Sequence, residues 1–149
     1  MKKTRILAVS SSGGHWIQLN RLRPFLESFE TVYASTDESL GEVLNEKFYS
    51  LKDASMWDKP ALAILAFQVF WLLIKVRPDV IVSTGAAPGF FALLFGKIFM
   101  RKTIWIDSMA NADEMSLAGK KIRPFADLWL TQWEDLAKSN GPSYRGQVL

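Results

Sequence analysis

The residues of this chain best able to do chemistry are Ser10-Ser11-Ser12-Gly13-Gly14-His15: three hydroxyls, two adjacent glycines and the only histidine. They lie between an apolar run, Arg5-Ile6-Leu7-Ala8-Val9, and a segment in which Leu19, Leu22 and Leu26 recur at helical spacing from a start near Trp16. A strand that turns through glycines into a helix presents free backbone N–H groups and the positive end of the helix dipole. Such a turn suits an anion, above all a phosphate. Gly13 and Gly14 serve either close approach of a ligand or a tight turn alone. The dipole disfavours an imidazolium at His15, so a neutral ring near pH 7 is predicted. A neutral imidazole can take a hydroxyl proton or donate to a phosphate oxygen. Capping or packing is the plainer alternative for the same residue.

Two obvious nucleotide motifs are excluded at this turn. The dinucleotide fingerprint needs G-x-G-x-x-G, and a P-loop needs Gly-Lys-Ser/Thr after its glycines; neither is present. Two more loops share the chemistry-bearing residue types. Ser83-Thr84-Gly85-Ala86-Ala87-Pro88-Gly89 repeats the pattern of strand, small residues and helix start. Asp107 and Ser108 open the third, which continues through Asn111 and Asp113 to Glu114. A carboxylate here could orient a sugar hydroxyl or act as a base, although a solvated loop or helix start is the plainer reading of Asp113 and of Glu114. No carboxylate pair has a spacing that dictates glycoside hydrolysis.

The elements that must position these loops alternate between strand and helix, the pattern of a parallel sheet covered by helices. Further strands are predicted at Thr31–Ser35, Phe48–Leu51, Asp79–Ser83, Thr103–Asp107 and, more weakly, Ala126–Thr131. Glu38–Glu46 reads as a short helix. Pro60 opens a long helix that runs to Val76 and stops before Pro78, and another covers Phe90–Met100. All three loops then follow carboxyl ends of parallel strands, the edge where ligands bind in open α/β sheets. The tail from Trp133 onward either joins the sheet or meets a partner.

The 149 residues suit one domain, 1–149, with no visible linker or repeat. Cysteine is absent, so disulfides and thiolate metal sites are excluded, and one histidine gives no basis for a histidine zinc site. The apolar run after Met1-Lys2-Lys3 breaks at Ser10, too short for a signal peptide. The net charge of +3 suits an anionic membrane surface or a phosphorylated ligand. Basic residues are scattered and no nucleic-acid motif is visible, so no nucleic-acid partner is expected.

From Ala61 to Ile74 only Gln68 is polar. A helix that is apolar all round is either deeply buried or in contact with lipid. This stretch would rise about 21 Å, short of a bilayer core of about 30 Å, so spanning is not expected. Phe90 to Met100 is similarly apolar and ends at Arg101-Lys102. Aromatic residues beside cations are what an interfacial membrane contact needs, and Phe70, Trp71, Phe90, Phe91 and Phe95 are its candidates. Simple coverage of the sheet is the alternative.

Ser11-Ser12-Gly13-Gly14-His15, Ser83–Gly89 and Lys102-Thr103-Ile104-Trp105-Ile106-Asp107-Ser108 together resemble the PssD/CpsF-type proteins of bacterial polysaccharide synthesis. These are similar to the membrane-anchoring subunit of the eukaryotic enzyme that adds the second N-acetylglucosamine to a dolichol diphosphate sugar. The likeness runs from Ile6 to about Leu136. It implies a Rossmann-like parallel sheet with helices on both faces, corresponding to the N-terminal, acceptor-side half of a GT-B glycosyltransferase of the MurG kind. A separate subunit would bind the UDP-sugar, and no cofactor or metal is implied. Ser12, Gly13, Gly14, Gly85, Pro88, Ser108 and Glu114 would bind the acceptor or its diphosphate. His15 is the first candidate catalytic base and Asp107 the second. The eukaryotic relative carries a membrane-spanning segment before its first strand, which this sequence lacks, so membrane attachment would fall to the apolar helices.

The resulting expectation is a subunit of an inverting glycosyltransferase, peripheral at the cytoplasmic face of the cell membrane. It would present a polyprenyl-diphosphate-linked saccharide to a partner's UDP-sugar in capsule or exopolysaccharide synthesis. A non-catalytic docking subunit that only recruits the catalytic partner is the main rival. A stand-alone nucleotide-sugar-binding enzyme is the third reading.

Overall fold

The computed structural model describes residues 2–148. Seven parallel strands form one sheet: β1 (Arg5–Ser10), β2 (Glu30–Ser35), β3 (Phe48–Ser50), β4 (Val80–Gly85), β5 (Lys102–Ile106), β6 (Leu128–Thr131) and β7 (Ser143–Tyr144). Their order across the sheet is β3-β2-β1-β4-β5-β6-β7. The central strands read as continuous apolar runs because both faces are covered, as parallel sheets require. Alternate side chains then divide between two cores. Leu7, Val9, Val32 and Ile81 pack under α3 (Lys59–Val76) and α4 (Ala86–Ile98), joined by Met115 and by Ile122 of α5 (Leu117–Ile122). Ile6, Ala8, Tyr33 and Val82 pack under Trp16 and Leu19 of α1 (Gly14–Arg21). This is the Rossmann-like, doubly wound arrangement expected.

The differences from expectation have local causes. The first helix starts two residues earlier, at Gly14, and breaks after Arg21; a second turn, α2, covers Arg23–Leu26. Pro24 has no N–H to give the preceding turn, so Leu22 closes it with a tighter bond to Leu19 O at 3.0 Å. Residues Glu38–Val43 form a 3-10 helix rather than an α-helix. The six-residue turn expected at Thr84–Gly89 does not exist. Thr84 and Gly85 complete β4, and a single backbone reversal at Gly85 (φ 136°) and Ala86 (φ 68°) opens α4 four residues early. Beyond two short 3-10 turns, at Arg123–Phe125 and Glu134–Leu136, two elements lack a predicted range. One is α5, a six-residue helix with Gly119 inside it; the other is β7, a two-residue strand by which the tail joins the sheet.

The long apolar helix α3 has 18 residues and rises about 27 Å, so its length does not rule out a membrane crossing. Its packing tells more. Ala61, Leu65, Val69, Leu72, Leu73 and Val76 are buried, and they place one face on the sheet and α4. The outer face leaves Ile64, Phe67, Trp71 and Ile74 exposed.

Candidate functional site

The strand order reverses at β1. From β1 the chain proceeds outward to β2 and β3, then returns across the sheet through α3 to β4 on the other side of β1. The carboxyl ends of β1 and β4 therefore flank the switch-point crevice. Both strands run directly into helices there, α1 below one face and α4 below the other, so two helix N-termini converge on one spot.

His15 lies in the first turn of α1, half-buried at this crevice. Its Nδ1 is 3.0 Å from Ser11 Oγ, and its carbonyl accepts from Thr84 Oγ1 at 2.6 Å. The ring lies against Gly85: a Cβ there would sit 2.5 Å from His15 Cδ2 and 2.9 Å from Nε2. Gly85 is thus required twice, by its left-handed backbone and by the ring that occupies its side-chain space. Burial lowers the His15 pKa from its ordinary value, partly offset by the charge of Asp107, and the net lowering favours the neutral ring. The tautomer that donates from Nδ1 to Ser11 leaves Nε2, on the Gly85 side of the ring, as an acceptor.

Gly13 holds a left-handed backbone (φ 76°), which accounts for a glycine there. Gly14 has no such excuse. Its φ is not left-handed, it opens α1, and a Cβ added to it would meet nothing within 4 Å. Among the described residues no tertiary neighbour needs this residue to be glycine. Ser12 closes the turn from the side, its N–H donating to Thr36 Oγ1 at 3.0 Å.

The other predicted site residues separate. Asp107 is 1% exposed and its carboxylate is fully engaged. Oδ1 accepts from Trp105 Nε1 at 3.0 Å and Ser116 Oγ at 2.6 Å, while Oδ2 accepts from Ser116 N at 2.8 Å. Ser116 in turn caps α5 through Gly119 N. The carboxylate therefore ties the end of β5 to α5. Ser108 is buried and accepts from Gln18 Nε2 at 3.1 Å. Pro88 is buried within the first turn of α4. Glu114 is exposed and paired with Lys120, away from the His15 ring's contacts. Among the described residues no group of three or more His, Asp or Glu could hold a metal ion.

Sequence reasoning missed a buried amide pair behind the site. Gln18 Oε1 accepts from Met109 N at 3.1 Å and from Gln132 Nε2, which also donates to Asp107 O at 2.9 Å. Gln132 Oε1 accepts from Val148 N at 2.8 Å. The two amides lock α1, the β5 loop, the end of β6 and the tail to one another. Helical spacing did not point to it: Gln18 is buried like Trp16 and Leu19 but lies about 200° around α1 from Trp16.

The membrane candidates also divide. Trp71 is 52% exposed, whereas Phe70 and Phe95 meet edge-to-face at 5.6 Å, and Phe91 stacks on Phe95 at 6.1 Å, all half-buried between α3 and α4. Phe90 is half-buried beside Phe91. The exposed apolar surface lies instead on Phe67 and Trp71, with Trp57 (91% exposed) before α3 and Met100 after α4.

Solved structures share this fold, two of them as follows. Acinetobacter baumannii MurG superposes with a TM-score of 0.76 at 8% identity over 95% of this chain and 45% of its own. A UDP-N-acetylglucosamine 2-epimerase from Rickettsia bellii superposes with 0.70 at 13% identity, over 89% and 40%. The chain spans under half the length of either, and at these identities the likeness concerns the fold alone. Sequence relatives are closer. The UDP-N-acetylglucosamine transferase subunit alg14 of Schizosaccharomyces pombe is 28% identical, covering 89% of this chain and 77% of that protein. The subunit ALG14 of Mus musculus is 24% identical over 97% and 83%. The family "Oligosaccharide biosynthesis protein Alg14 like" matches residues 51–148, from the end of β3 through the tail, and the chain belongs to it.

Proposed function

We propose that this chain is the acceptor-side subunit of a two-component inverting glycosyltransferase. The relatives' designation as UDP-N-acetylglucosamine transferase subunits supports UDP-N-acetylglucosamine as the donor, held by a separate subunit. The acceptor is a polyprenyl-diphosphate-linked saccharide at the cytoplasmic face of a membrane. Bacterial capsule or exopolysaccharide synthesis is the setting that the Gly-Gly-His, Ser83–Gly89 and Lys102–Ser108 motifs favour.

One observation carries the reading. Gly14 is bare at a helix N-terminus where no described neighbour demands glycine, and the His15 ring beside it lies against Gly85 at the head of α4, with Nδ1 on Ser11. Bare backbone there would leave room for a diphosphate at the N–H groups of α1. The acceptor hydroxyl then attacks the anomeric carbon of the donor. As the new C–O bond forms, the bond to UDP breaks, and His15 Nε2 takes the hydroxyl proton. Asp107 holds the wall of the site through α5 rather than moving a proton.

Co-reconstitution with the UDP-sugar-binding partner tests this. His15→Ala and His15→Asn should lower turnover by about 10²–10⁴-fold, with cooperative melting and partner capture unchanged. Because burial lowers the His15 pKa, wild-type turnover should hold at pH 7 and decline only as pH falls below about 6.5. Full turnover in both folded variants supports the docking-only role, which the exposed apolar face of α3 also accommodates.

A further inference from the structure

Beside the crevice, on the face covered by α3 and α4, lies a cavity of about 390 Å3. That volume falls within the range of small-molecule sites, about 300–1,000 Å3. It opens between the Ala54–Met56 stretch, the first turns of α3 and α4, and α5. Met56, Leu62, Ala87, Phe90, Phe91 and Leu117 give it a hydrocarbon lining. Lys59 and Lys121 add two exposed ammonium groups, and neither is in an ion pair among the described residues. Ala86 and Ala87 also line it, and Gly85, next along the chain, touches the His15 ring. The cavity therefore begins one residue from the crevice. At its outer end Met56 and Leu117 are exposed, with Trp57 beside them.

The geometry points to an occupant with an anionic head and a hydrocarbon tail: the diphosphate-proximal isoprene units of the acceptor lipid. This rests on the acceptor reading of the Gly13–His15 turn and extends it by assigning the path of the chain. A diphosphate over the N-termini of α1 and α4 has its negative charge within the field of Lys59 and Lys121. Its first isoprene units enter between Phe90, Phe91 and Leu117. The remainder leaves past Met56 and Trp57 toward the exposed face of α3, where a bilayer would receive it. Asp107 acquires a positioning role here, because it anchors the helix that supplies Leu117, Ala118 and Lys121.

The test is a titration of the full chain, alone and with its UDP-sugar-binding partner. Dimethylallyl, geranyl and farnesyl diphosphate form the chain-length series, inorganic diphosphate is the head-only probe and farnesol the tail-only probe. Binding is read as affinity and as the NMR shift of the His15 ring. Affinity should rise at least about tenfold across the series, with or without the partner. Ala118→Phe, which fills the cavity, should flatten that rise while inorganic diphosphate still moves His15. Should Ala118→Phe not fold, the exposed pair Lys59→Glu/Lys121→Glu replaces it and should weaken every prenyl diphosphate. A flat wild-type series, an undiminished series in folded Ala118→Phe, or prenyl diphosphates unaffected by the charge reversals would overturn the proposal. So would farnesol matching farnesyl diphosphate (a pocket for bulk lipid), or loss of chain-length dependence once the partner is added (a partner side chain in the cavity). A steep series with an unmoved His15 would instead sink the acceptor reading and leave the cavity as a separate lipid site.

Discussion

At the scale of single residues, the site turns on two glycines that look alike in sequence and differ in cause. Gly85 is demanded by the protein: its backbone is left-handed and the His15 ring fills its side-chain space. Gly14 is demanded by no tertiary neighbour among the described residues. Gly14→Ala should therefore stabilise the fold by about 0.5–1 kcal/mol, through lost freedom in the unfolded chain and better helix propensity. The same substitution should weaken the acceptor's effect on turnover, read as a raised KM. Higher stability with unchanged kinetics would reduce the Gly13-Gly14 pair to a turn. His15 and the glycines were readable in the sequence because a strand-to-helix turn is a local feature. The occupation of Asp107 was not, because its partner Ser116 belongs to a loop of no distinctive pattern, and which carboxylates are satisfied depends on tertiary placement.

At the scale of elements, the central strands and the long helices were legible because burial writes itself into apolar runs and proline marks the helix boundaries. The short ones were not. Helix α5 is six residues with a glycine inside, and its position is set by an anchor rather than by propensity. That anchor is testable. Asp107→Asn replaces one acceptor oxygen by an amide donor opposite the Ser116 and Trp105 donors, so about 1–3 kcal/mol of stability should be lost. Hydrogen exchange should rise first across residues 115–122. A variant with native exchange and native melting but no turnover would restore Asp107 as a proton-transfer group. The short strand β7 owes its place to the Gln132–Val148 bond and sheet pairing, neither of which leaves a periodic trace.

At the scale of the whole molecule, the proposed acceptor site and the exposed apolar face adjoin. The crevice opens at the carboxyl edge of the sheet, and α3 carries its exposed stripe of Ile64, Phe67, Trp71 and Ile74 from that edge toward the other. The stripe was only half visible in advance, since an all-apolar helix does not declare which face the sheet will take. Lys75, Arg77 and Arg101 lie near the far ends of α3 and α4, where the proposed membrane contact would place them against anionic headgroups. Phe67→Glu/Trp71→Glu should abolish co-sedimentation with anionic vesicles while changing stability by no more than about 0.5 kcal/mol, because both side chains project outward. Undiminished sedimentation would move the membrane contact to another surface.

The central claim is that the Gly13–His15 turn holds the acceptor and not the nucleotide. The most direct measurement is an NMR titration of the isotope-labelled chain with a short-chain prenyl-diphosphate N-acetylglucosamine and, separately, with UDP-N-acetylglucosamine. The acceptor analogue should shift the Gly14 amide and the His15 ring at concentrations where the UDP-sugar leaves both unmoved. Saturable shifts of those two residues by the UDP-sugar, with none from the acceptor analogue, would contradict it.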